Sequence, residues 1–430
     1  MLPLDYLHAL CLAGVAIYLW QREPPRLLLT PMMLVSFIVL YGIGNIIYFL
    51  GADTLPDVRF AVTASLIMMW LGLIAGIELA RASMPALAAQ SARVIRTWPG
   101  AALGNRAETD ELVAAVGVLA ALFMLTVFLA LGKPGQIHTF MTLESAREKW
   151  KYRNELGGQG GYLYQLLAVS VAPFLSLLLL SKAAAGGRRY LRVTGLALCG
   201  VVLACKVGTF QKIPWVIYLL QLIVAFQVRR RLEISIGRVM FFLVVVLLSV
   251  LGAALIAIPE QLQATGIFEW LAYRFFEINN EGIYQTFYVY PRYLPHTWGM
   301  NIGLVHGLFG SGELLPAYVQ VANFFGAFGA TFDAFFVADA WVDFGYLGVL
   351  LTAVLVGYVV KMVDIYVTSL GKTTLAVALV ASGMYGLFQL LVTSAFTAFF
   401  SGGLIFIPLL VLASQGLIND LAHGQRQWQR

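Results

Sequence analysis

An all-α, polytopic membrane protein is the fold this sequence predicts, and three observations predict it. Of the 430 residues, 60 % are apolar and 12 % charged, and the mean hydropathy is +0.82, a balance foreign to water-soluble domains. The apolar residues gather into repeated runs that match a hydrocarbon core of about 30 Å. Lysine and arginine collect in alternate connections between those runs.

The first run, 4–19, has no basic residue before it and no small-residue cleavage site after it, so it is expected to remain as a span. Arg22 and Arg26 close it, and 27–50 and 58–79 follow, parted by a short Gly- and Pro-containing break. A polar stretch carrying Arg81, Arg93, Arg96 and Arg106 leads into 112–131. Beyond a long connection, 132–161, come 162–180, 193–207 and 213–228, the last two joined by the tight hairpin 206–212. The run 239–258 precedes a second long connection, 259–343, after which 346–360, 375–393 and 404–417 complete the set. Eleven spans, to within one, are therefore expected in a single integral membrane domain, 1–430, with two large external loops.

Charge sets the orientation. With the N-terminus outside and the C-terminus inside, eighteen of the 28 Lys and Arg fall in the inner connections, as the positive-inside rule requires. The same distribution argues against nucleic acid as a partner, despite a formal charge of +6, because the basic residues flank spans rather than forming one stripe. Cys11, Cys199 and Cys205 lie in or beside spans without metal-ligand spacing, so neither a metal nor a disulfide is implied. No cofactor is expected.

The cations that oppose the orientation are the candidate ligand-binding residues. Lys133, Arg147, Lys149, Lys151 and Arg153 crowd the first external loop, which reads as a short helix capped by Thr142 and ended by Gly157. Arg147/Lys151 and Lys149/Arg153 are i,i+4 pairs of like sign, which repel unless an anion sits between them, although Glu144, Glu148 and Glu155 offset part of the charge. A solvated interfacial helix anchored by Trp150 and Tyr152 is the alternative reading. Lys206 and Lys212 bound a hairpin between two spans of about sixteen residues, short against the roughly twenty needed to cross, so both ammonium groups are expected at or just below the interface.

The second loop is dense in aromatic residues, Tyr273, Tyr284, Tyr288 and Tyr293 among them, whose faces stack on sugars or pack the loop against the membrane. Within it, Arg274, Glu277 and Glu281 follow an i, i+3, i+7 spacing that shares one face of an α-helix, and Arg292, His296 and His306 lie downstream. Asp339-Ala-Trp-Val-Asp343 sets two carboxylates at i,i+4 ahead of a span, as acid/base groups or as a helix end. There is no Walker A loop, HExxH, GxSxG or Asp-x-Asp.

Three stretches together resemble the Wzy-type polymerases of bacterial O-antigen and exopolysaccharide: Glu144-Ser-Ala-Arg-Glu-Lys-Trp-Lys-Tyr-Arg with its Gly-rich turn; Tyr273-Arg-Phe-Phe-Glu leading through Tyr284 to Tyr290-Pro-Arg; and Ala338-Asp-Ala-Trp-Val-Asp-Phe-Gly-Tyr-Leu-Gly. The resemblance covers most of the chain from about Glu144 onward. It implies a C-type glycosyltransferase-like enzyme of the bacterial inner membrane that joins undecaprenyl-pyrophosphate-linked repeat units on the periplasmic face. Functional arginines in the outer loops, a flippase and a chain-length regulator as partners, and contact with membrane lipids are implied with it.

Glycosyl transfer from a lipid pyrophosphate needs cations for the departing phosphates, a groove for sugars and a base for the acceptor hydroxyl. Arginine's planar fork ranks Arg147, Arg153 and Arg274 first for the phosphates. Lys149, Lys151, Lys206, Lys212 and Arg292 are supporting contacts, with Tyr273 and Tyr284 toward the sugars. Glu277, Asp339, Asp343 and His296 are the candidate bases. The rival readings are an O-antigen ligase, for which a His-Asn pair is missing at His296-Thr297 and His306-Gly307, and a transporter of polysaccharide or lipid-linked sugar.

Overall fold

The computed structural model describes residues 3–23, 26–143, 145, 148–149, 151–152, 156, 161–209, 212–233, 252, 266–310, 315–326 and 335–414. Among these, all regular structure is helical, and the only β-type pairings are the isolated bridges Arg26 to Glu233 and Gly104 to Thr373. Seven helices are long and apolar enough to cross a membrane: 29–51, 56–83, 107–130, 161–184, 189–207, 336–369 and 374–392. Each coincides with an expected span. Two more expected spans form the helices Pro3–Arg22 and Lys212–Arg230. The run 239–258 lies outside the described residues apart from Gly252, and of 404–417 the segment 406–414 is helical.

We label the helices α1 (Pro3–Arg22), α2 (Leu29–Gly51), α3 (Pro56–Ser83), α4 (Pro85–Thr97), α5 (Asp110–Ala130), α6 (Lys133–Thr142), α7 (Gly161–Ala184), α8 (Arg189–Val207) and α9 (Lys212–Arg230). The second long connection supplies α10 (267–289), α11 (Gly303–Phe309) and α12 (Ala317–Phe324), followed by α13 (Phe336–Ser369), α14 (Thr374–Val392) and α15 (Ala395–Phe399). Their apolar composition has two uses. The apolar stretch of α14 is 72 % buried, against 28 % for that of the 107–130 segment. Thus α14 runs through the centre, whereas α5 presents Leu112, Leu119, Leu122 and Leu129 outward, as a helix at a lipid boundary does.

Small residues bring α3 and α13 together. A Cβ added at Gly72 would stand 2.8 Å from that of Ala353, and one at Gly76 would fall on the Val354 carbonyl oxygen. Only glycine permits so close a crossing, the usual way two helices gain contact where apolar burial drives nothing. At one end of that pair Asp364 caps α2, its two oxygens accepting from the backbone N–H of Leu29 at 2.8 Å and of Thr30 at 2.7 Å. Two otherwise orphaned donors of a helix start are thereby satisfied.

Among the described residues, groups from five of the connections expected inside meet at that end. Glu23 pairs with Arg81 at 2.7 Å and with Lys361. Lys182 is saturated by Asp110 at 2.7 Å, the Arg106 carbonyl, Asn105 and Thr109. Lys372 donates to the Trp98 carbonyl at 3.0 Å, and Trp98 donates to that of Val228 at 2.8 Å. Beside Lys372 the burial, and then the Arg229 charge, hold its ammonium below the ordinary lysine range. At the opposite end Arg59 bridges Asp5 at 2.6 Å and the Phe49 carbonyl, and Tyr284 accepts from the Leu55 N–H at 2.9 Å. The charge alternation thus corresponds to two ends of one helical body.

Two expectations change. Thr142 caps no helix start: it is the last residue of α6, a helix within the first long connection, and its hydroxyl donates back to the Thr139 carbonyl. The helical turn that follows is capped by Ser145, whose hydroxyl accepts from the Glu148 N–H at 3.1 Å while Glu148 accepts from the Ser145 N–H, a reciprocal capping box. The i, i+3, i+7 spacing from Arg274 does not run along regular α-helix, because α10 contains a π-turn at Tyr273–Glu277, and Tyr273 reaches Glu281, at 3.4 Å.

Candidate functional site

At the end opposite the basic layer, α13 breaks near its start. Phe344 (φ −139°) and Gly345 (φ +59°, ψ −142°) leave helical geometry, separating a short lead of 336–343 from the span proper. A positive φ suits glycine, so the Phe-Gly pair marks the break in sequence as well. The lead carries Asp339 and Asp343, both buried.

The turn 296–301 wraps this lead. Its Thr297 and Trp298 N–H groups donate to the carbonyls of Val342 and Asp343, at 3.0 and 3.1 Å, and His296 Nδ1 lies 3.2 Å from the Val342 carbonyl. Trp298 (φ +52°) and Gly299 (φ +88°) adopt left-handed conformations in succession, curling the backbone around one carboxylate oxygen. Asp343 Oδ1 accepts from Thr297 Oγ1 at 2.5 Å and from the N–H groups of Gly299 and Asn301 at 3.1 and 3.3 Å. Asn301 then reaches the other acid, donating to Asp339 Oδ1 at 3.0 Å, while its own Oδ1 accepts from the Ala317 N–H at 3.0 Å. Among the described residues, Oδ2 of each aspartate receives no hydrogen bond. Asp343 is therefore committed to the turn, and Asp339 keeps more of its accepting capacity.

Aromatic residues pack around the lead. Trp341 stacks on Phe287 with centroids 4.2 Å apart and donates to the Tyr290 carbonyl at 2.9 Å. The Tyr290 hydroxyl donates to Gln320 at 3.1 Å; its pKa is pushed up to about 12 by burial first, then by the Asp343 and Asp339 charges. From Ala317, beside Asn301, α12 leads about 10 Å along its axis to Phe324, which joins Tyr288, Tyr293 and Phe325 in a ledge of rings. Tyr293 is 51 % exposed and Phe324 42 %, so the ledge is open on one side, at the far end of α12 from Ala317.

The other candidates divide. Arg147 and Arg153 lie outside the described residues, as do the side chains of Arg274 and Lys212. Lys149 is buried and Lys151 exposed in the capped turn. Arg292 is engaged with Asp57 and lies over the Tyr288 ring at 5.1 Å, beside the ledge. Tyr284 and Tyr273 brace α10 through the Leu55 N–H and Glu281; Glu277 is exposed on the same helix, away from the Asp339–Asp343 hydrogen bonds. His296 stands beside the lead, edge-on to Trp341 at 5.7 Å. Lys206 is buried apart, between α8, α9 and α14.

Sequence reasoning missed Asn301, which holds both acids. The only local signal was its place in a Gly-punctuated turn, Trp298-Gly-Met-Asn-Ile-Gly303. Among the described residues no three His, Cys, Asp or Glu stand together as metal ligands. Compared with family models, with curated proteins and with solved structures, the chain matches none.

Proposed function

We propose that this protein is a surface-polysaccharide polymerase of the bacterial inner membrane. It joins undecaprenyl-pyrophosphate-linked repeat units on the periplasmic face, with the basic end in the cytoplasm. The observation that carries the reading is the buried Asp339–Asp343 pair, with an open ring ledge at the far end of α12, on the side away from the basic layer. Ring faces suit sugars, and a carboxylate with accepting capacity suits the acceptor hydroxyl.

In this scheme Asp339 takes the proton of the acceptor hydroxyl as its oxygen bonds to C1 of the donor sugar. The C1–O bond to the pyrophosphate breaks with its electron pair, and the lipid pyrophosphate leaves. Asp343 holds the turn that presents Asn301, and Asn301 orients Asp339. Neutralising the departing phosphates falls to Arg147, Arg153 and Arg274, with Lys149 and Lys151. The break in α13 beside a carboxylate pair also fits a transporter, since discontinuous helices often line transport sites.

The test is complementation of a deletion strain with Asp339→Asn. The deletion should leave lipid-linked single repeat units and no long polymer, and the variant, present at wild-type level in the membrane, should polymerise ~10²- to 10⁴-fold more slowly. Long carrier-linked chains in the deletion strain would refute the polymerase and favour the ligase. Absence of flipped units would favour the transporter.

A further inference from the structure

Lys206 occupies an unusual environment. It stands one residue from the end of α8, where a lysine stem ordinarily reaches the headgroups. Instead it is 2 % exposed, and its ammonium lies over the rings of Tyr385 at 4.9 Å and Tyr218 at 5.8 Å. Among the described residues its Nζ has no hydrogen-bond partner.

Among the described residues, no helix packed around it supplies a carboxylate. The chain holds no Asp or Glu from Leu156 to Leu232 or from Ile365 to Asn419, which covers α7, α8, α9, α14 and α15. The acids of α5, Asp110 and Glu111, sit at the far, basic end with Lys182 and Arg188. A charge held in an apolar body calls for an anion, and here the described helices around it bring hydroxyls rather than carboxylates. Tyr385 brings one, which accepts from Gln389 Nε2 at 2.5 Å and so keeps its own proton free to give. Tyr218 and Ser176 share a second hydroxyl pair at 2.6 Å.

We infer that Lys206, in its box of Tyr218 and Tyr385, binds the phosphate of a polyprenyl lipid that enters between the helices below the outer surface. Tyrosine faces keep the ammonium in place when the site is empty, and the phosphate replaces them as its partner. The inference rests on the polymerase reading for its lipid and gives that lipid a seat within the membrane body, separate from the loop cations.

The full chain in nanodiscs, with its Lys206→Met, Lys206→Arg and Tyr385→Phe variants, is titrated with a polyprenyl monophosphate, with the uncharged polyprenol and with inorganic phosphate. Wild type should bind the lipid phosphate saturably and the polyprenol at least about tenfold more weakly, and Lys206→Met should lose at least about tenfold in lipid-phosphate affinity. Lys206→Arg, which keeps the charge, should retain most of it, and Tyr385→Phe should fall between. Lys206→Met is isosteric and removes an unpaired charge, so its unfolding temperature without ligand should not fall; if it does, the Arg and Phe variants decide the matter. Equal affinity in wild type and Lys206→Met overturns the inference. Inorganic phosphate binding as tightly as the lipid form would assign the seat to a soluble anion and overturn the lipid. Binding requires no chain growth, so a protein that binds lipid phosphate through Lys206 without polymerising would refute the polymerase alone.

Discussion

At the scale of the residue, the site depends on one side chain that connects two acids. Asn301 donates to Asp339 through Nδ2 and to Asp343 through its backbone N–H, and accepts from Ala317. Asn301→Ala therefore strips a donor from a buried carboxylate and orphans a buried N–H at once. A cost of about 1–3 kcal/mol in unfolding free energy is expected, read from thermal unfolding in detergent. Asn301→Asp should be worse, because a third carboxylate replaces the donor. Sequence alone could locate Asp339 and Asp343, since their i,i+4 spacing and the following Phe-Gly break are local patterns. It could not supply Asn301, whose partner lies 38 positions away. The same limit applies to Lys206: its place at a span end was legible, but the rings that enclose it come from two other helices. The Thr142 error was avoidable. Thr142 has Ser145 three residues on, whereas Ser145 has Glu148, the reciprocal partner that a capping box requires.

At the scale of the element, helices were readable from apolar runs, but their irregularities were not. The π-turns at 38–43, 167–171 and 273–277 leave no composition signal, because the inserted residue shifts the register of a helix face without requiring any particular residue type. Crossings are another such case. Gly72 and Gly76 stand four apart, the small-xxx-small spacing of close helix pairs, yet their partner, Gly357 with Ala353, became evident only once α3 and α13 were packed. A Cβ at Gly357 would fall on the Leu73 carbonyl oxygen, as one at Gly76 falls on that of Val354. Backbone cannot rotate away, so Gly76→Ala and Gly357→Ala should each destabilise by roughly 1–3 kcal/mol. The pair should cost less than the sum, since the first substitution already parts the helices. Unfolding temperatures of both single variants and the double variant test this, and strict additivity would show that the two glycines do not share one crossing.

At the scale of the whole molecule, the arrangement of charge is the property that sequence conveys best. The groups that meet at the basic end come from connections far apart in the chain: Glu23 with Arg81 and Lys361, Lys182 with Asp110, Lys372 with the Trp98 carbonyl. A reversed pairing of even one span would have sent a member of this layer to the other end, beside Arg59 and Arg292. Positive charge resists translocation, so the expected orientation puts the layer on the cytoplasmic side and the Asp339–Asp343 site outside. Single cysteines at Arg96, Arg230, Tyr152 and Tyr288, in a background lacking Cys11, Cys199 and Cys205, make this measurable with an impermeant thiol reagent. In intact spheroplasts positions 152 and 288 should label, whereas 96 and 230 should label only after the membrane is opened. Tyr288 is the decisive position, because it lies in the ring ledge. If 288 is protected while 96 is labelled, the site faces the cytoplasm, where flipped lipid-linked units do not reside. The acids would then need another substrate, whatever the activity of Asp339→Asn.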